Sequence, residues 1–426
     1  MKIDHTHAPL FGEEGAGIYL DCQATERPRP QAIEAVRQGM ERYFGNPSAL
    51  AHARGQAARR HLENFRRLAA GIVKAPAEAL CFTSGATESN NIVLASEARR
   101  PGAHLVVSAI EHKSVLESAR RAHEAGAKLS MLPVDRSGRV DLEALERLIA
   151  QGATLVCVMA ANNEVGTIQP LGEIGGMCRR AGVRWHVDAA QAVGKLELDL
   201  GTLGVDYLSF TAHKFGGPQG IGALALSERV RSELRPLLVG GRQERGLRAG
   251  TTPIALCAGM AAASHCVASA MRPEVERMRR LRNDLLDGLR ALGPFFSNSD
   301  VEHGLCNNLN GGFEGVSAML LMRRMPQVQF SVASACTSGV GGSHVLAAMG
   351  HGRPRIESSF RLSVGWSTTR ADVDGAVAAF ASALRGLGGR RAGSVAPPRS
   401  AGPRAPGREV AAQPDEAPLE EAGSAG

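Results

Sequence analysis

The sequence predicts an α/β fold with two domains. In the large domain a mostly parallel sheet is sandwiched by helices, and the smaller domain is α+β. Between about residues 80 and 210, short continuous apolar runs alternate with helical segments, as expected for parallel strands buried on both faces. The chain also has 426 residues, which is too long for one simple core.

The elements of the first part follow one another regularly. A strand at 17–20 precedes a helix that Pro28 and Pro30 open and that runs to about residue 43. A turn at 44–48, rich in Gly, Asn and Pro, separates this helix from a polar helix that ends near residue 74. The next strands are predicted at 80–82, 104–108, 129–134, 154–160, 184–187 and 206–210. The helices between them are predicted at 85–98, 114–125, 141–150 and 172–181.

The second part has a different pattern. Residues 254–271 carry no formal charge but are too weakly apolar for a membrane span, so we predict a buried helix there and a separate amphipathic helix at 273–292. The strands and helices that follow indicate an α+β arrangement. They are predicted as strands at 307–310, 327–330 and 360–364 and as helices at 317–325, 342–349 and 371–387.

These patterns divide the chain into three parts. Residues 24–271 form the large domain, and residues 1–23 with 272–387 form the small domain. Residues 388–426 contain almost no large apolar side chains and are expected to be a disordered tail.

Composition narrows the function classes. The net charge of +7 is spread thinly, and aromatic residues make up 4% of the chain, so binding of nucleic acid is not expected. The N-terminus has no apolar segment typical of a secretion signal, which predicts a cytoplasmic protein that does not bind membranes. The eight cysteines form no CxxC pair, so neither a disulfide framework nor a metal site is predicted.

Chemically active side chains cluster where the predicted strands end. Ligands bind at the carboxyl ends of the strands in open parallel sheets. After strand 80–82, Ala86 and Thr87 lead into a helix, whose free N–H groups and dipole suit a phosphate. The side chains that follow later strands are His112, Asn163, Asp188, Gln191, Thr211, His213 and Lys214. Each alone also fits a helix cap or a turn, and the local pattern of Lys214 fits a surface lysine equally well.

Together these residues match the needs of pyridoxal phosphate. This cofactor needs donors for its phosphate, a lysine for its aldehyde and a carboxylate for its pyridine nitrogen. The imidazole of His112 is suited to stack on the ring. The set therefore predicts a pyridoxal-phosphate enzyme.

Nine motifs make the resemblance to a known family specific. They are Tyr19-Leu-Asp-Cys-Gln-Ala-Thr25, Phe44-Gly-Asn-Pro-Ser48, Phe82-Thr-Ser-Gly-Ala-Thr-Glu-Ser-Asn-Asn91, Glu111-His112, Asn162-Asn-Glu-Val-Gly166, His186-Val-Asp-Ala-Ala-Gln191, His213-Lys214, Arg248-Ala-Gly-Thr-Thr252 and Ser334-Ala-Cys-Thr-Ser338. In this set and order, from about residue 17 to about 380, the chain resembles the cysteine desulfurases of the NifS/IscS type. The resemblance implies a class V, fold-type I pyridoxal-phosphate transferase.

The resemblance implies a role for each site residue. Lys214 would form the Schiff base with the cofactor, Asp188 would pair with the pyridine nitrogen, and His112 would stack on the ring and relay protons. The phosphate would be contacted by Ala86, Thr87, Thr211 and His213. Asn163 and Gln191 would contact the substrate or the ring hydroxyl, and Arg361 would bind the substrate carboxylate. In a homodimer, Thr251 would reach the phosphate of the partner subunit.

Cys336 selects the reaction among those of the class V enzymes. It lies in a run of small residues with nothing large to bury, whereas Cys157, Cys257 and Cys266 lie in apolar segments. The resemblance implies that its thiolate takes the sulfur of L-cysteine as a persulfide and that L-alanine is released. The sulfur then passes to an acceptor protein, which is an iron–sulfur cluster scaffold or a thiolation enzyme. Cys336 would contact an iron–sulfur cluster only transiently.

The alternatives are a selenocysteine lyase, a class V aminotransferase and a non-catalytic sulfur-assembly scaffold. Transamination needs no nucleophilic thiol, so Cys336 argues against an aminotransferase. A non-catalytic scaffold does not need the intact set of Lys214, Asp188, His112, Cys336 and Arg361, so this set argues against a scaffold.

Three features depart from the family pattern. Thr211 stands where Ser is usual, the segment 46–55 is one residue longer, and the segment after Cys336 lacks the usual Leu-Glu-Pro.

Overall fold

The computed structural model describes residues 17–332 and 342–388. Internal contacts group the described residues up to Arg385 into one unit. The strands are β1 (Ile18–Tyr19), β2 (Leu80–Thr83), β3 (His104–Ser108), β4 (Lys128–Leu132), β5 (Leu155–Cys157), β6 (Arg184–Asp188), β7 (Tyr207–Thr211), β8 (Gly222–Leu226), β9 (Phe295–Ser297), β10 (Asn308–Phe313), β11 (Val328–Gln329), β12 (Ser331–Val332) and β13 (Phe360–Ser363). The helices are α1 (Pro30–Glu41), α2 (Ala53–Gly71), α3 (Ala86–Glu97), α4 (Lys113–Glu124), α5 (Leu142–Ala150), α6 (Leu171–Ala181), α7 (Leu200–Leu203), α8 (Glu228–Arg231), α9 (Ile254–Arg290), α10 (Ala318–Arg324), α11 (His344–Ala348), α12 (Arg353–Ser358) and α13 (Arg370–Gly388).

The largest sheet has seven strands in the order β2-β8-β7-β6-β5-β3-β4. Strands β4, β3, β5, β6 and β7 pair in parallel, and β8 runs antiparallel between β7 and β2. The predicted mostly parallel sheet is therefore confirmed. Strand β8 was not predicted, because its sequence Gly-Ala-Leu-Ala-Leu lacks β-branched and aromatic residues.

Both faces of this sheet are covered. Successive side chains of a strand point to opposite faces. Val106 and Phe210 accordingly pack into one hydrophobic cluster, while Val107 and Tyr207 pack into another. Because both faces of strands such as β3, β5 and β7 are buried, these strands are continuous or nearly continuous apolar runs, whereas the edge strand β4 is partly exposed.

Two smaller sheets are formed entirely by residues of the predicted small domain. Strands β1 and β11 pair in parallel, and β12-β13-β10-β9 form an antiparallel sheet. Aromatic rings fill the core beside the antiparallel sheet; Phe360 lies 5.2 Å from Phe380 and 5.6 Å from Phe330 between ring centroids. The domain boundaries themselves stay a prediction, and the tail from 389 onward lies outside the described residues.

Helix α9 corrects one prediction. Pro273 lies inside it, so the predicted break between 271 and 273 is wrong. A proline in a helix interior removes one hydrogen bond and costs about 3 kcal/mol. Packing offsets this cost, because α9 contacts α1 and α2 and buries Leu281, Leu285 and Leu289 beyond the proline.

Helix α9 is also long and apolar enough, by length and composition, to cross a membrane. Half of its apolar window is nevertheless buried inside the protein. Core helices of globular proteins meet the same criterion. Its contacts with α1 and α2 make it the buried helix that the sequence predicts.

Other differences are local. Strand β5 is shorter than the predicted 154–160, and the predicted strand 327–330 is divided into β11 and β12. The predicted helix 342–349 is α11, which begins at His344. The elements that were not predicted are β8, β9, α7, α8 and α12. All of these are only three to six residues long, too short for a clear period in the sequence.

Candidate active site

A cavity of about 590 Å³ opens at the carboxyl ends of the parallel strands. Ten of the predicted site residues line it. They are Ala86, Thr87, His112, Asn163, Asp188, Gln191, Thr211, His213, Lys214 and Arg361. The structure therefore brings together residues from positions 86 to 361 of the sequence. Of the other two predicted residues, Thr251 lies outside this cavity and Cys336 lies outside the described residues.

Lys214 ends a turn of 3-10 helix, Ala212–Lys214, that directly follows β7. Its Nζ donates hydrogen bonds to the carbonyl oxygens of Gln23, at 2.5 Å, and Ala24, at 2.8 Å. Desolvation, together with the positive charges of Arg361 and Lys195, lowers the pKa of Lys214 to about 8. A substantial fraction of its amine is therefore neutral near pH 8, as nucleophilic attack on a carbonyl requires.

Asp188 is the last residue of β6 and is 6% exposed. Its Oδ2 accepts a hydrogen bond from the amide of Asn90 at 2.8 Å, and its Oδ1 accepts one from the backbone N–H of Ala190 at 2.9 Å. The Asn90 amide also donates to the hydroxyl of Ser114. These contacts fix the carboxylate at the cavity wall, where it suits a protonated ring nitrogen.

His112 caps helix α4. Its Nδ1 accepts a hydrogen bond from the backbone N–H of Ser114 at 3.1 Å, so the neutral ring carries its proton on Nε2. The ring is accessible through the open cavity, yet desolvation by the surrounding protein lowers the pKa of His112 despite the opposing charge of Asp188. The ring is therefore neutral at neutral pH and can stack on a flat ligand.

The N-terminus of α3 forms an anion cradle. Gly85 is its N-cap and offers no side chain, so the cap hydrogen bond that a serine or aspartate would make is not made. The first N–H groups of α3 are therefore available to a ligand, and an anion there is stabilised by the helix dipole. A Cβ on Gly222 would lie 2.6 Å from the Cα of Gly85, so the close approach of β8 to this cradle requires glycine at 222.

Thr211 and His213 stand beside this cradle. The Thr211 hydroxyl donates to the carbonyl oxygen of Ile221 at 3.2 Å. The Nδ1 of His213 lies 3.2 Å from the hydroxyl of Thr25, and desolvation lowers the pKa of His213 to about 4. Both side chains are neutral, and the Thr211 hydroxyl donates to an anion only when it leaves the carbonyl oxygen of Ile221.

Only one of the two polar atoms of the Gln191 side-chain amide has a hydrogen-bond partner among the described residues. Its Nε2 donates to the carbonyl oxygen of Gln23 at 3.1 Å. Its Oε1 is buried and has no hydrogen-bond partner among the described residues. An unpaired buried acceptor at a cavity wall indicates a donor supplied by a ligand.

Arg361 reaches the cavity from β13. One terminal nitrogen donates to the carbonyl oxygen of Asn163 at 2.7 Å. The other donates to Oδ1 of Asp21 at 2.6 Å and to the hydroxyl of Ser331 at 2.9 Å. The guanidinium is thus held at the edge of the site, with its side chain 11% exposed.

Thr251 lies in an exposed loop before α9. A buried ion pair anchors this loop. The carboxylate of Glu244 in this loop contacts the guanidinium of Arg66 at 2.5 Å, and it also accepts from the backbone N–H of Phe82 and the hydroxyl of Thr252. The role predicted for Thr251, at the site of a partner subunit, stays a prediction.

The buried cysteines among the described residues are poor nucleophiles because of their environment. Six of the seven free cysteines there are buried, and the exception is the half-buried Cys266. Burial raises the pKa of Cys22 and of Cys178 to about 12. Thiols in such surroundings are protonated and unreactive at neutral pH.

The family follows from a comparison of the whole chain with known proteins. A model of the family described as aminotransferase class-V matches residues 18–375. The chain belongs to the class-V aminotransferase family.

Relatives within the class-V family are similar over most of the chain. Cysteine desulfurase IscS of Escherichia coli O139:H28 (strain E24377A / ETEC) is 39% identical over 363 residues, which cover 84% of this chain and 90% of that protein. A solved structure of a NifS-like protein has a TM-score of 0.82 and 34% identity, and covers 87% of this chain and 100% of that chain. A structure of SspA in complex with cysteine has a TM-score of 0.73 and 30% identity, and covers 82% of this chain and 99% of that chain. The resemblance to the cysteine desulfurases is confirmed.

The described residues on either side of the segment 333–341, which contains Cys336, are anchored by hydrogen bonds. On one side, Ser331 lines the cavity and donates to Oδ1 of Asp21 at 2.8 Å. On the other side, the hydroxyl of Ser343 donates to the carboxylate of Glu164, and Nε2 of His344 lies 3.0 Å from the carbonyl oxygen of Glu111.

Sequence reasoning assigned no role to Asn90, Lys195 or Asp21, which contact the predicted site residues Asp188, Lys214 and Arg361. Asn90 and Asp21 lie in the motifs that carry the family resemblance, which is the one signal that could have found them. Their partners are distant in sequence, so only the fold reveals the contacts. Within residues 17–332 and 342–388, no group of three or more His, Cys, Asp or Glu side chains is placed to hold a metal ion.

Proposed function

We propose that this class-V protein is a pyridoxal-phosphate-dependent cysteine desulfurase that converts L-cysteine to L-alanine and passes the sulfur, through a persulfide on Cys336, to an acceptor protein. The observation that carries the proposal is the single cavity that gathers a lysine of lowered pKa, a fixed carboxylate, a neutral imidazole and an arginine. The similarity to cysteine desulfurase IscS supports the substrate.

The residues of the cavity fit pyridoxal phosphate. The uncapped N-terminus of α3 suits its phosphate, with Thr211 and His213 beside it. Asp188 suits its pyridine nitrogen, and the unpaired Oε1 of Gln191 suits its ring hydroxyl. When bound, the cofactor would supply an electron sink that stabilises negative charge at the substrate Cα.

Lys214 would hold the cofactor and, once released by the substrate amine, move a proton at the substrate Cα. Desolvation favours its neutral form, which both tasks require. His112 carries a proton on Nε2, the ring nitrogen that its capping hydrogen bond leaves free. It is therefore suited to stack on the ring and to donate or receive a proton there.

Arg361 would bind the carboxylate of L-cysteine. A planar guanidinium can donate two parallel hydrogen bonds to a carboxylate. Asn163 orients the guanidinium through its carbonyl oxygen at 2.7 Å. A substrate held at its carboxylate would have its Cα in a fixed position relative to Lys214.

Cys336 would be the sulfur nucleophile. Its thiolate would attack the sulfur of the substrate, so that the S–S bond of a persulfide forms as the Cβ–S bond breaks. The electron pair of that bond would stay with the carbon fragment, which takes up a proton at Cβ and leaves as L-alanine. Two observations on the described residues support this role. The buried cysteines among them are protonated, and Ser331, five residues before Cys336, lines the cavity.

The proposed enzyme is a homodimer. Large apolar side chains remain exposed in two regions of the single chain, around α1 and before the loop of Thr251. The more exposed of them are Ile33, Met40, Phe44, Leu50, Leu238 and Val239. A partner subunit would cover such surfaces and place its Thr251 at the phosphate.

The sulfur acceptor would be an iron–sulfur scaffold or a thiolation enzyme, and the site of action would be the cytoplasm. The free cysteines of the described residues support a reducing compartment. Neither membrane nor nucleic acid is part of the proposal.

The reaction is tested with the purified protein loaded with pyridoxal phosphate. With L-cysteine and a thiol reductant, we expect alanine and sulfide in equal amounts without any added keto acid. Alanine that forms only when pyruvate is added as the amino acceptor would indicate an aminotransferase. Turnover of L-selenocysteine but not of L-cysteine would indicate a selenocysteine lyase, and no turnover of either by the loaded protein would indicate a scaffold.

A further inference from the structure

Arg361 already holds a carboxylate within the protein. Oδ1 of Asp21 lies 2.6 Å from a terminal guanidinium nitrogen, Nη2, and the two side chains are 20% and 11% exposed. Ser331 accepts a second hydrogen bond from the same nitrogen. The two N–H groups of Nη2 are therefore both engaged.

This pattern restricts how another carboxylate can bind. A guanidinium presents two edges that suit bidentate binding, Nη1 with Nη2 and Nε with Nη2. Both edges require Nη2, whose protons are taken by Asp21 and Ser331. Nε is buried and has no partner among the described residues. A second carboxylate that binds bidentately therefore has to replace Asp21 or Ser331 as an acceptor.

The position of Asp21 is fixed by its backbone. Asp21 bridges to Ser363 of β13, two residues beyond Arg361, and its carbonyl oxygen accepts from the N–H groups of Ala24 and Thr25. The carboxylate is thus held beside the guanidinium rather than reaching it from a mobile chain. Its negative charge stays near a carboxylate that approaches Arg361, and like charges at short range repel.

We propose that Asp21 limits the affinity for the substrate: its carboxylate shares Nη2 of Arg361 and repels the incoming substrate carboxylate, and so weakens amino-acid binding. The proposal rests on the proposed role of Arg361 as the carboxylate site. Substrate binding then places a second carboxylate at a guanidinium that already holds one.

The test is D21N, which keeps the shape and one acceptor of the side chain and removes its charge. In the enzyme loaded with pyridoxal phosphate, we expect the KM for L-cysteine to fall about tenfold, since a charge-assisted hydrogen bond no longer competes. The Kd of the product L-alanine, measured by calorimetry, should fall by a similar factor. D21E, which keeps the charge, should show neither fall.

The variant R361A separates a failure of this proposal from a failure of the role proposed for Arg361. R361A should raise the KM, and D21N combined with R361A should not lower it again. A KM that is unchanged or raised in D21N, with cofactor absorbance retained, would overturn the proposal. If D21N does not fold, D21S replaces it, since serine removes the charge and keeps a hydroxyl. The same fall in KM is expected for D21S, and the same unchanged or raised KM would overturn the proposal. If R361A leaves the KM unchanged, the carboxylate site itself is misassigned.

Discussion

The ammonium group of Lys195 donates a hydrogen bond to the carbonyl oxygen of Lys214, with Nζ and O 2.8 Å apart. Lys195 is 6% exposed, and its charge is among those that lower the pKa of Lys214. A buried cation therefore fixes the backbone of Lys214, the lysine proposed to form the Schiff base, and favours its neutral amine. Lys195 thus acts on Lys214 as a positioning residue.

Removing this cation should change how the protein takes up pyridoxal phosphate. Only the neutral amine reacts, so uptake by the apoprotein should speed up as the pH rises through about 8, the pKa of Lys214. In K195M the pKa of Lys214 should rise. At a pH below that pKa, each unit of increase lowers the fraction of neutral amine about tenfold. The measurement is the uptake rate against pH, with K195R as the variant that keeps the charge. A midpoint that does not move in K195M would contradict this account.

His112 serves both as a cap and as a site residue, and two substitutions separate the roles. H112A removes the acceptor for Ser114 N–H and should lower the free energy of unfolding by about 1 kcal/mol. H112N keeps a capping acceptor and should lower it by less. Both should lower desulfurase activity by about 100-fold or more, because the ring is lost. Urea denaturation and alanine formation are the measurements, and an active H112N would contradict the role of the ring.

The buried pair of Arg66 and Glu244 should stabilise the loop that carries Thr251. E244A leaves the Arg66 charge buried, which costs about 3–5 kcal/mol of the free energy of unfolding. The control is E63A, because Glu63 contacts Arg66 at 3.3 Å from a side chain that is 40% exposed. That change should cost less than about 1 kcal/mol. Equal losses in urea denaturation would show that burial does not decide the strength of this pair.

The arrangement of the site was predictable because parallel strands end at one edge of a sheet. Asp188 and Lys214 lie at the ends of neighbouring strands, β6 and β7, and this adjacency follows from the alternation of strands and helices. The family motifs then gave each residue a role. No part of this reasoning needed the three-dimensional structure.

The rest depends on contacts that the sequence does not encode locally. Strand β8 pairs antiparallel with both β2 and β7, and its apolar sequence does not indicate in which direction the strand runs. Helix α9 continues through Pro273 because packing outweighs the local preference. The contact of Asp21 with Arg361 spans 340 positions, and that of Lys195 with Lys214 requires two adjacent turns to fold together.

The central claim is that Cys336 receives the sulfur of L-cysteine at a site built around Lys214. The most direct measurement compares C336A with C266A, a control at the half-buried cysteine, both loaded with pyridoxal phosphate. We predict that C336A keeps the cofactor absorbance but forms neither enzyme persulfide nor sulfide from L-cysteine, whereas C266A forms both. Normal turnover in C336A would contradict the account.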